Sequence, residues 1–154
     1  MIQITFIIEV HTMNHAADIF LSGFNCSQAV FSSFADELEL DRDTALKIAT
    51  GFGAGMARHQ EVCGAVTGGI MALGYRYGRS SSDDASATAL TYQKVNELMI
   101  RFEEENGSCL CQTILGGIDL RTEEGQKAFA DQNKKIICTK CVAEAERIVK
   151  SLIS

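Results

Sequence analysis

The spacing of hydrophobic residues changes from a strand-like to a helical period near the start of the chain. Four apolar residues alternate with other residues in the first ten positions: Ile2, Ile4, Phe6 and Ile8. This period of two is typical of a strand, whereas from Asn14 apolar residues recur every three or four positions, which predicts helices. We therefore expect residues 1–12 to form a short strand or extension and residues 13–154 to form a single helical, cysteine-rich domain.

Helix boundary signals divide this second part into about seven or eight helices. Asn25 is a predicted N-cap, as are Asp41 or Asp43 and Thr122, because short polar side chains there accept hydrogen bonds from free backbone N–H groups. The clearest helix lies within residues 80–107, where serines and aspartates mark the start and a glycine the end. A first, shorter helix is expected to bury four residues: Ala16, Ala17, Phe20 and Leu21. The prediction is an all-α, compact multi-helix bundle.

Small residues mark the predicted helix within residues 62–78: Gly64, Ala65, Gly68, Gly69 and Ala72. Each glycine costs a helix about 1 kcal/mol relative to alanine, so this segment should depend on tertiary packing and lie centrally. Small side chains also let helices approach one another closely. The faces around Ala65 and Ala72 therefore suit pairing between subunits, and we expect a homo-oligomer.

The amino-acid composition supports an all-helical fold and narrows the range of possible functions. The 154 residues contain no proline, and their net charge of −6 opposes the basic surface that a nucleic-acid-binding protein needs. No apolar run is long enough to span a membrane, and no export signal precedes the domain, so we expect a cytoplasmic protein. In that reducing compartment, six cysteines indicate metal binding or redox chemistry more than a disulfide framework.

All six cysteines fall at or just before predicted helix starts: Cys26, Cys63, Cys109, Cys111, Cys138 and Cys141. Free N–H groups and the helix dipole favour a thiolate there. The dipole lowers a thiol pKa by only about 0.2 to 0.7 units, so a fast nucleophile needs further help. Nearby cations offer it: Arg58 and His59 before Cys63, and Lys134, Lys135 and Lys140 around Cys138. We predict that Cys63 or Cys138 attacks, whereas Cys26 and Cys111 serve as resolving thiols or ligands.

Two other interpretations of the cysteines remain open. Four thiolates could bind zinc or an iron–sulfur cluster, with Cys109, Cys141 and His59 as further candidates. The CTKC pair at 138–141 is compatible with half of a metal site, but a second CxxC pair at zinc-ribbon spacing is missing. Alternatively, the cysteines pack as small hydrophobic residues in a non-enzymatic accessory module.

The glycine-rich GFGAG at 51–55 does not indicate a nucleotide site. No hydrophobic strand precedes it, and neither GK[ST] nor GxGxxG spacing is present. The glycines are better explained as a left-handed helix end and a flexible loop that brings Cys63 against another helix.

Four separated motifs resemble a bacterial family of redox-active proteins named for the pattern C_GCAxxG_C_C. They are GFNCSQAVF at 23–31, CGAVTGGIMALG at 63–74, CQTILG at 111–116 and CxxxV at 138–142. The resemblance covers roughly residues 16–153 and implies a small helical protein with four characteristic cysteines: Cys26, Cys63, Cys111 and Cys138. Here Cys109 and Cys141 are additions to the pattern, as are the residues before Met13.

Our leading hypothesis is a thiol-dependent redox protein in which the four characteristic cysteines converge. It needs no organic cofactor, and its redox or electron-transfer partner is not specified by the sequence. The metal or iron–sulfur protein and the accessory module are the alternatives.

Overall fold

The computed structural model describes residues 15–154, which form an all-α bundle of eight right-handed helices. These are α1 (Ala16–Leu21), α2 (Cys26–Ser33), α3 (Arg42–Ala49), α4 (Gly64–Tyr77), α5 (Ala85–Asn106), α6 (Cys111–Ile114), α7 (Glu123–Asp131) and α8 (Lys135–Ile153). The predicted fold class and number of helices are confirmed. The strand or extension predicted for residues 1–12 lies outside the described residues.

Helix α4 occupies the centre and packs against α2, α5 and α8. The glycines of α4 permit this close packing, because they carry no side chain. A Cβ atom added at Gly68 would lie 2.7 Å from the Ser27 carbonyl oxygen, and one at Gly69 would lie 2.9 Å from Leu98 and Val149 side-chain atoms. The central position predicted from the small residues is therefore confirmed.

The predicted N-caps begin their helices. The Asn25 side chain accepts a hydrogen bond from the Gln28 backbone N–H, and the Gln28 side chain accepts one from the Asn25 N–H, which forms a capping box. Asp41, rather than Asp43, caps α3, and Thr122 caps α7. At the far end of α5, Gly107 adopts a left-handed conformation that ends the helix.

Two predicted details are wrong. Helix α1 buries Ile19 instead of Leu21, which is 56% exposed; two helical turns contain too few repeats to fix which face is buried. Helix α8 begins at Lys135, so Cys138 and Cys141 lie inside it rather than at its start. Lys135, Ile136 and Ile137 extend the helix before Cys138, because none of them is a helix breaker.

Ala65 and Ala72 are fully buried within the chain. The small-residue faces that suggested a homo-oligomer are therefore used for packing inside one subunit and offer no surface to a second copy. Within residues 15–154, no helix combines the length and apolarity needed to cross a bilayer.

Candidate functional site

A cavity of about 280 Å³ lies among α2, α4, α6, α7 and α8. Five cysteines line it: Cys26, Cys63, Cys111, Cys138 and Cys141. We call it the cysteine cavity. The four cysteines predicted to converge are thus brought together, and Cys141 joins them. Most of the remaining lining is apolar: Phe20, Ala54, Gly64, Ile114, Leu115, Leu120 and Phe129, with Asn25 and Lys135 as the polar members.

The starts of α2 and α4 meet at the cavity. Cys26 is the first residue of α2, directly after the Asn25 cap, and Cys63 directly precedes α4. Gly64 lies between them: a Cβ atom added there would be 3.1 Å from the Cys26 Cβ. The glycine therefore leaves the space that allows Cys63 and Cys26 to share one wall.

An unusual left-handed stretch leads into Cys63. Six residues between positions 54 and 60 have positive φ: Ala54, Gly55, Met56, Ala57, Arg58 and Gln60. Left-handed backbone costs a residue with a side chain roughly 1–2 kcal/mol, so neighbouring contacts must hold this stretch in place. Gly55 cannot be replaced easily, because its added Cβ would lie 2.5 Å from the Gln60 Cα. Among the three glycines of GFGAG, only Gly55 has the predicted left-handed conformation; Gly53 serves instead for a close approach to Asn25.

Gln60 anchors this stretch, a role that the sequence analysis missed. Its side chain is buried, donates to the Ile118 carbonyl at 2.7 Å and accepts from the Leu120 N–H at 2.8 Å. These bonds connect the left-handed stretch to the loop after α6. A glutamine within a polar segment carries no sequence signal for such a role, because its partners lie far along the chain.

A short antiparallel contact places Cys63 beside the segment that contains Cys109 and Cys111. The Cys63 N–H donates to the Cys109 carbonyl at 2.7 Å, and the Cys111 N–H donates to the Glu61 carbonyl at 2.7 Å. Cys111 faces the cysteine cavity, whereas the half-buried Cys109 interacts with the Met99 carbonyl at 3.4 Å and does not line it. His59 is exposed and also lies off the cavity wall. These two secondary candidates are therefore not at the site.

The thiols interact in two pairs. A hydrogen bond from the Cys26 thiol is the main cause that lowers the pKa of Cys138, and the positive charge of Lys135 adds to it. A hydrogen bond from the Cys141 thiol is the main cause that lowers the pKa of Cys63, and the N–H groups of Ala65 and Val66 contribute. Burial opposes both changes. In each pair, therefore, one cysteine ionises to the thiolate more readily than an ordinary cysteine does.

The remaining thiols have raised pKa values. Hydrogen bonding to Cys138, followed by burial, raises the pKa of Cys26. Hydrogen bonding to Cys63, followed by burial, raises that of Cys141. Burial raises the pKa of Cys111 to about 12.

Cys63 and Cys138 are the residues that the sequence singles out as nucleophiles. For Cys63, the cause of the lowered pKa differs from the one that the sequence suggested: a neighbouring thiol and helix N–H groups lower it. The exposed Arg58 and His59 are not among the causes.

Cys111 should make the stability of the reduced protein depend on pH. Its thiol keeps its proton up to about pH 12 when folded but loses it near 9.0 when unfolded. Between these values the folded state binds more protons, so its stability falls as pH rises. From this difference in the pKa of Cys111 alone, we expect the free energy of unfolding to fall by about 1.4 kcal/mol between pH 8 and pH 10. Denaturant unfolding of the reduced protein at both pH values measures this loss, and Cys111→Ser should reduce it by that amount. Equal losses in the two proteins would contradict the prediction.

The positions of possible ligands bear on the metal interpretation. In the part of the chain that the structure describes, no group of three or more His, Cys, Asp or Glu side chains is placed to hold a metal ion. The four-cysteine ligand set that zinc or an iron–sulfur cluster would require is therefore not seen among these residues.

Comparison with known proteins identifies a family. The pattern of the family described as "Putative redox-active protein (C_GCAxxG_C_C)" matches residues 24–152, so the chain belongs to this family. No curated protein and no solved structure matches the chain.

Proposed function

We propose that this member of the C_GCAxxG_C_C family carries out thiol–disulfide exchange in the cysteine cavity. The observation that carries the proposal is that five cysteines line one largely apolar cavity. Within this cavity, Cys63 and Cys138 have lowered pKa values, mainly because of hydrogen bonds from the Cys141 and Cys26 thiols. A nucleophilic thiolate beside a protonated resolving thiol is the arrangement that dithiol oxidoreduction requires.

Cys138 is the proposed nucleophile toward a substrate disulfide. Its thiolate attacks one sulfur of that disulfide, forms a mixed disulfide and releases the other sulfur as a thiolate. Cys26 then gives up its proton and attacks the Cys138 sulfur, which releases the second substrate thiolate. The Cys26–Cys138 pair is oxidised by two electrons, the substrate is reduced to two thiols, and the Cys26 proton passes to a departing thiolate.

The hydrogen bond between the Cys26 and Cys138 thiols explains why Cys138 reacts first and Cys26 second. While Cys138 is anionic, the bond holds the proton on Cys26 and raises its pKa. Once Cys138 enters a mixed disulfide, it no longer accepts that bond as an anion, so one cause of the raised pKa is removed. Cys26 therefore ionises more readily at the step that needs it as a nucleophile.

The surroundings of Cys138 support the same role. Lys135 lies one turn before Cys138 on α8 and favours its thiolate. The Lys135 ammonium also lies 5.5 Å from the centre of the Phe20 ring, a cation–π contact that holds it at the wall of the cavity. Apolar neighbours limit water around the sulfur atoms and strengthen this electrostatic interaction.

Disulfide mapping tests the proposal. We expect oxidised glutathione to produce Cys26–Cys138 and Cys63–Cys141 disulfides, which mass spectrometry would detect after alkylation of the remaining thiols. Cys109 and Cys111 should stay alkylated, and Cys109→Ser should give the same map as the unaltered chain. Pairing within the CTKC segment, or equal oxidation of all six cysteines, would contradict the proposal. Stoichiometric metal after anaerobic purification would instead support the four-cysteine alternative.

A further inference from the structure

Three residues on one face of α8 lie at increasing depth. Lys135 is exposed, Cys138 is half-buried and Cys141 is only 1% exposed. Successive members are three residues apart, which corresponds to a rise of about 4.5 Å along a helix. All three line the cysteine cavity. The face therefore leads from the surface at Lys135 to the interior at Cys141.

The partner of each α8 cysteine has a similar degree of burial. Cys26 is half-buried and pairs with Cys138, whereas Cys63 is 7% exposed and pairs with Cys141. We call Cys26 and Cys138 the outer pair and Cys63 and Cys141 the inner pair. A bulky disulfide can approach the outer pair more readily than the inner pair.

The two pairs are close enough to influence each other. Cys26, Cys63 and Cys138 line the same cavity of about 280 Å³, and negative charge on Cys63 raises the pKa values of the other two. Gly64 contributes no side chain between the starts of α2 and α4, where an added Cβ atom would lie 3.1 Å from the Cys26 Cβ. No bulky residue of either helix start therefore separates Cys63 from Cys26.

We infer that the outer pair passes its disulfide to the inner pair, so that the buried dithiol is oxidised by large substrates only through the outer dithiol. This inference rests on the proposed function and extends it to a relay between two dithiols. The cavity would then hold up to four electrons, two in each reduced pair.

Disulfide exchange between the outer and inner pairs needs no external oxidant or reductant. The Cys63 thiolate attacks the Cys26 sulfur of the outer disulfide and releases the Cys138 thiolate. Cys141 then loses its proton and attacks the Cys63 sulfur, which releases the Cys26 thiolate. That thiolate takes up a proton in exchange for the one lost by Cys141. The inner pair ends oxidised, and the outer pair regains its reduced, hydrogen-bonded form.

An oxidant that cannot enter the cavity tests the relay. We would react the reduced protein with an aromatic disulfide bound to polymer beads and follow both disulfides by mass spectrometry. With one equivalent of oxidant, the outer disulfide should appear first and the inner disulfide should follow as the outer one decays. In Cys26→Ser/Cys138→Ser, oxidation of the inner pair by the beads should slow at least tenfold. Hydrogen peroxide, which is small, should still oxidise the inner pair in this variant.

Two further variants separate the possible outcomes. Cys141→Ser leaves the outer pair intact, so its outer disulfide should persist instead of decaying, and Cys109→Ser should behave as the unaltered chain does. Rapid oxidation of the inner pair by the beads in a double variant with unchanged circular dichroism would overturn the relay. A stable outer disulfide in the unaltered chain, with no transfer, would overturn it too. Absence of any outer disulfide would instead refute the proposed function.

Discussion

Replacing Cys26 by serine should trap a mixed disulfide between Cys138 and glutathione. The variant retains the attacking thiol and Lys135, but it lacks the thiol that is paired with Cys138. A neighbouring group held in place reacts as though it were present at very high concentration, so its loss should lengthen the lifetime of the mixed disulfide at least about 100-fold. Cys111 cannot replace it efficiently, because burial raises its pKa to about 12 and little of it is thiolate near neutral pH.

Intact-protein mass spectrometry after brief exposure to oxidised glutathione measures this effect. The unaltered chain and Cys109→Ser should show almost no adduct, whereas Cys26→Ser should approach one adduct per molecule. Cys138→Ser should not form the adduct at this pair. If Cys26→Ser released glutathione as fast as the unaltered chain, Cys26 would not be the resolving residue.

Replacing Gly68 by alanine should destabilise the fold by about 2 kcal/mol. The added Cβ would lie 2.7 Å from the Ser27 carbonyl oxygen and 3.0 Å from the Val30 Cβ. The Ser27 contact is with backbone, which cannot rotate away, so α2 must move from α4. A clash with backbone belongs at the upper end of the about 1–3 kcal/mol that overpacking typically costs, and the roughly 1 kcal/mol that alanine gains over glycine in a helix offsets part of it.

Gly74→Ala in the same helix is the matched control. No atom lies within 4 Å of its added Cβ, so the variant should gain about 0.5–1 kcal/mol. Denaturant unfolding of the reduced proteins compares the two, and the signs of the changes should differ. Equal effects at both positions would mean that helix propensity, rather than the α2–α4 contact, decides stability. Since α2 carries Cys26 and α4 follows Cys63, Gly68→Ala should also slow transfer between the pairs.

The sequence by itself determined most of the helical framework. Asn25, Asp41 and Thr122 cap helices as predicted, because a cap bonds to a backbone group only three residues away. The small residues of α4 predicted its central place, since glycine is retained inside a helix where a neighbour leaves no room for a side chain. The positions of Cys26, Cys63 and Cys111 at helix starts could likewise be recognised from spacing, whereas the position of Cys138 inside α8 could not.

Only the tertiary structure decided which cysteines face one another. It placed Cys141 in the cavity and Cys109 outside it, although both had been secondary candidates. It also shows that a neighbouring thiol, rather than the expected cations, lowers the pKa of Cys63. The hydrogen bonds of buried Gln60 hold the left-handed stretch before Cys63 in place. Capping and periodicity depend on residues three or four positions apart. Thiol pairing and burial instead join distant parts of the chain, and their geometry exists only once the helices have packed.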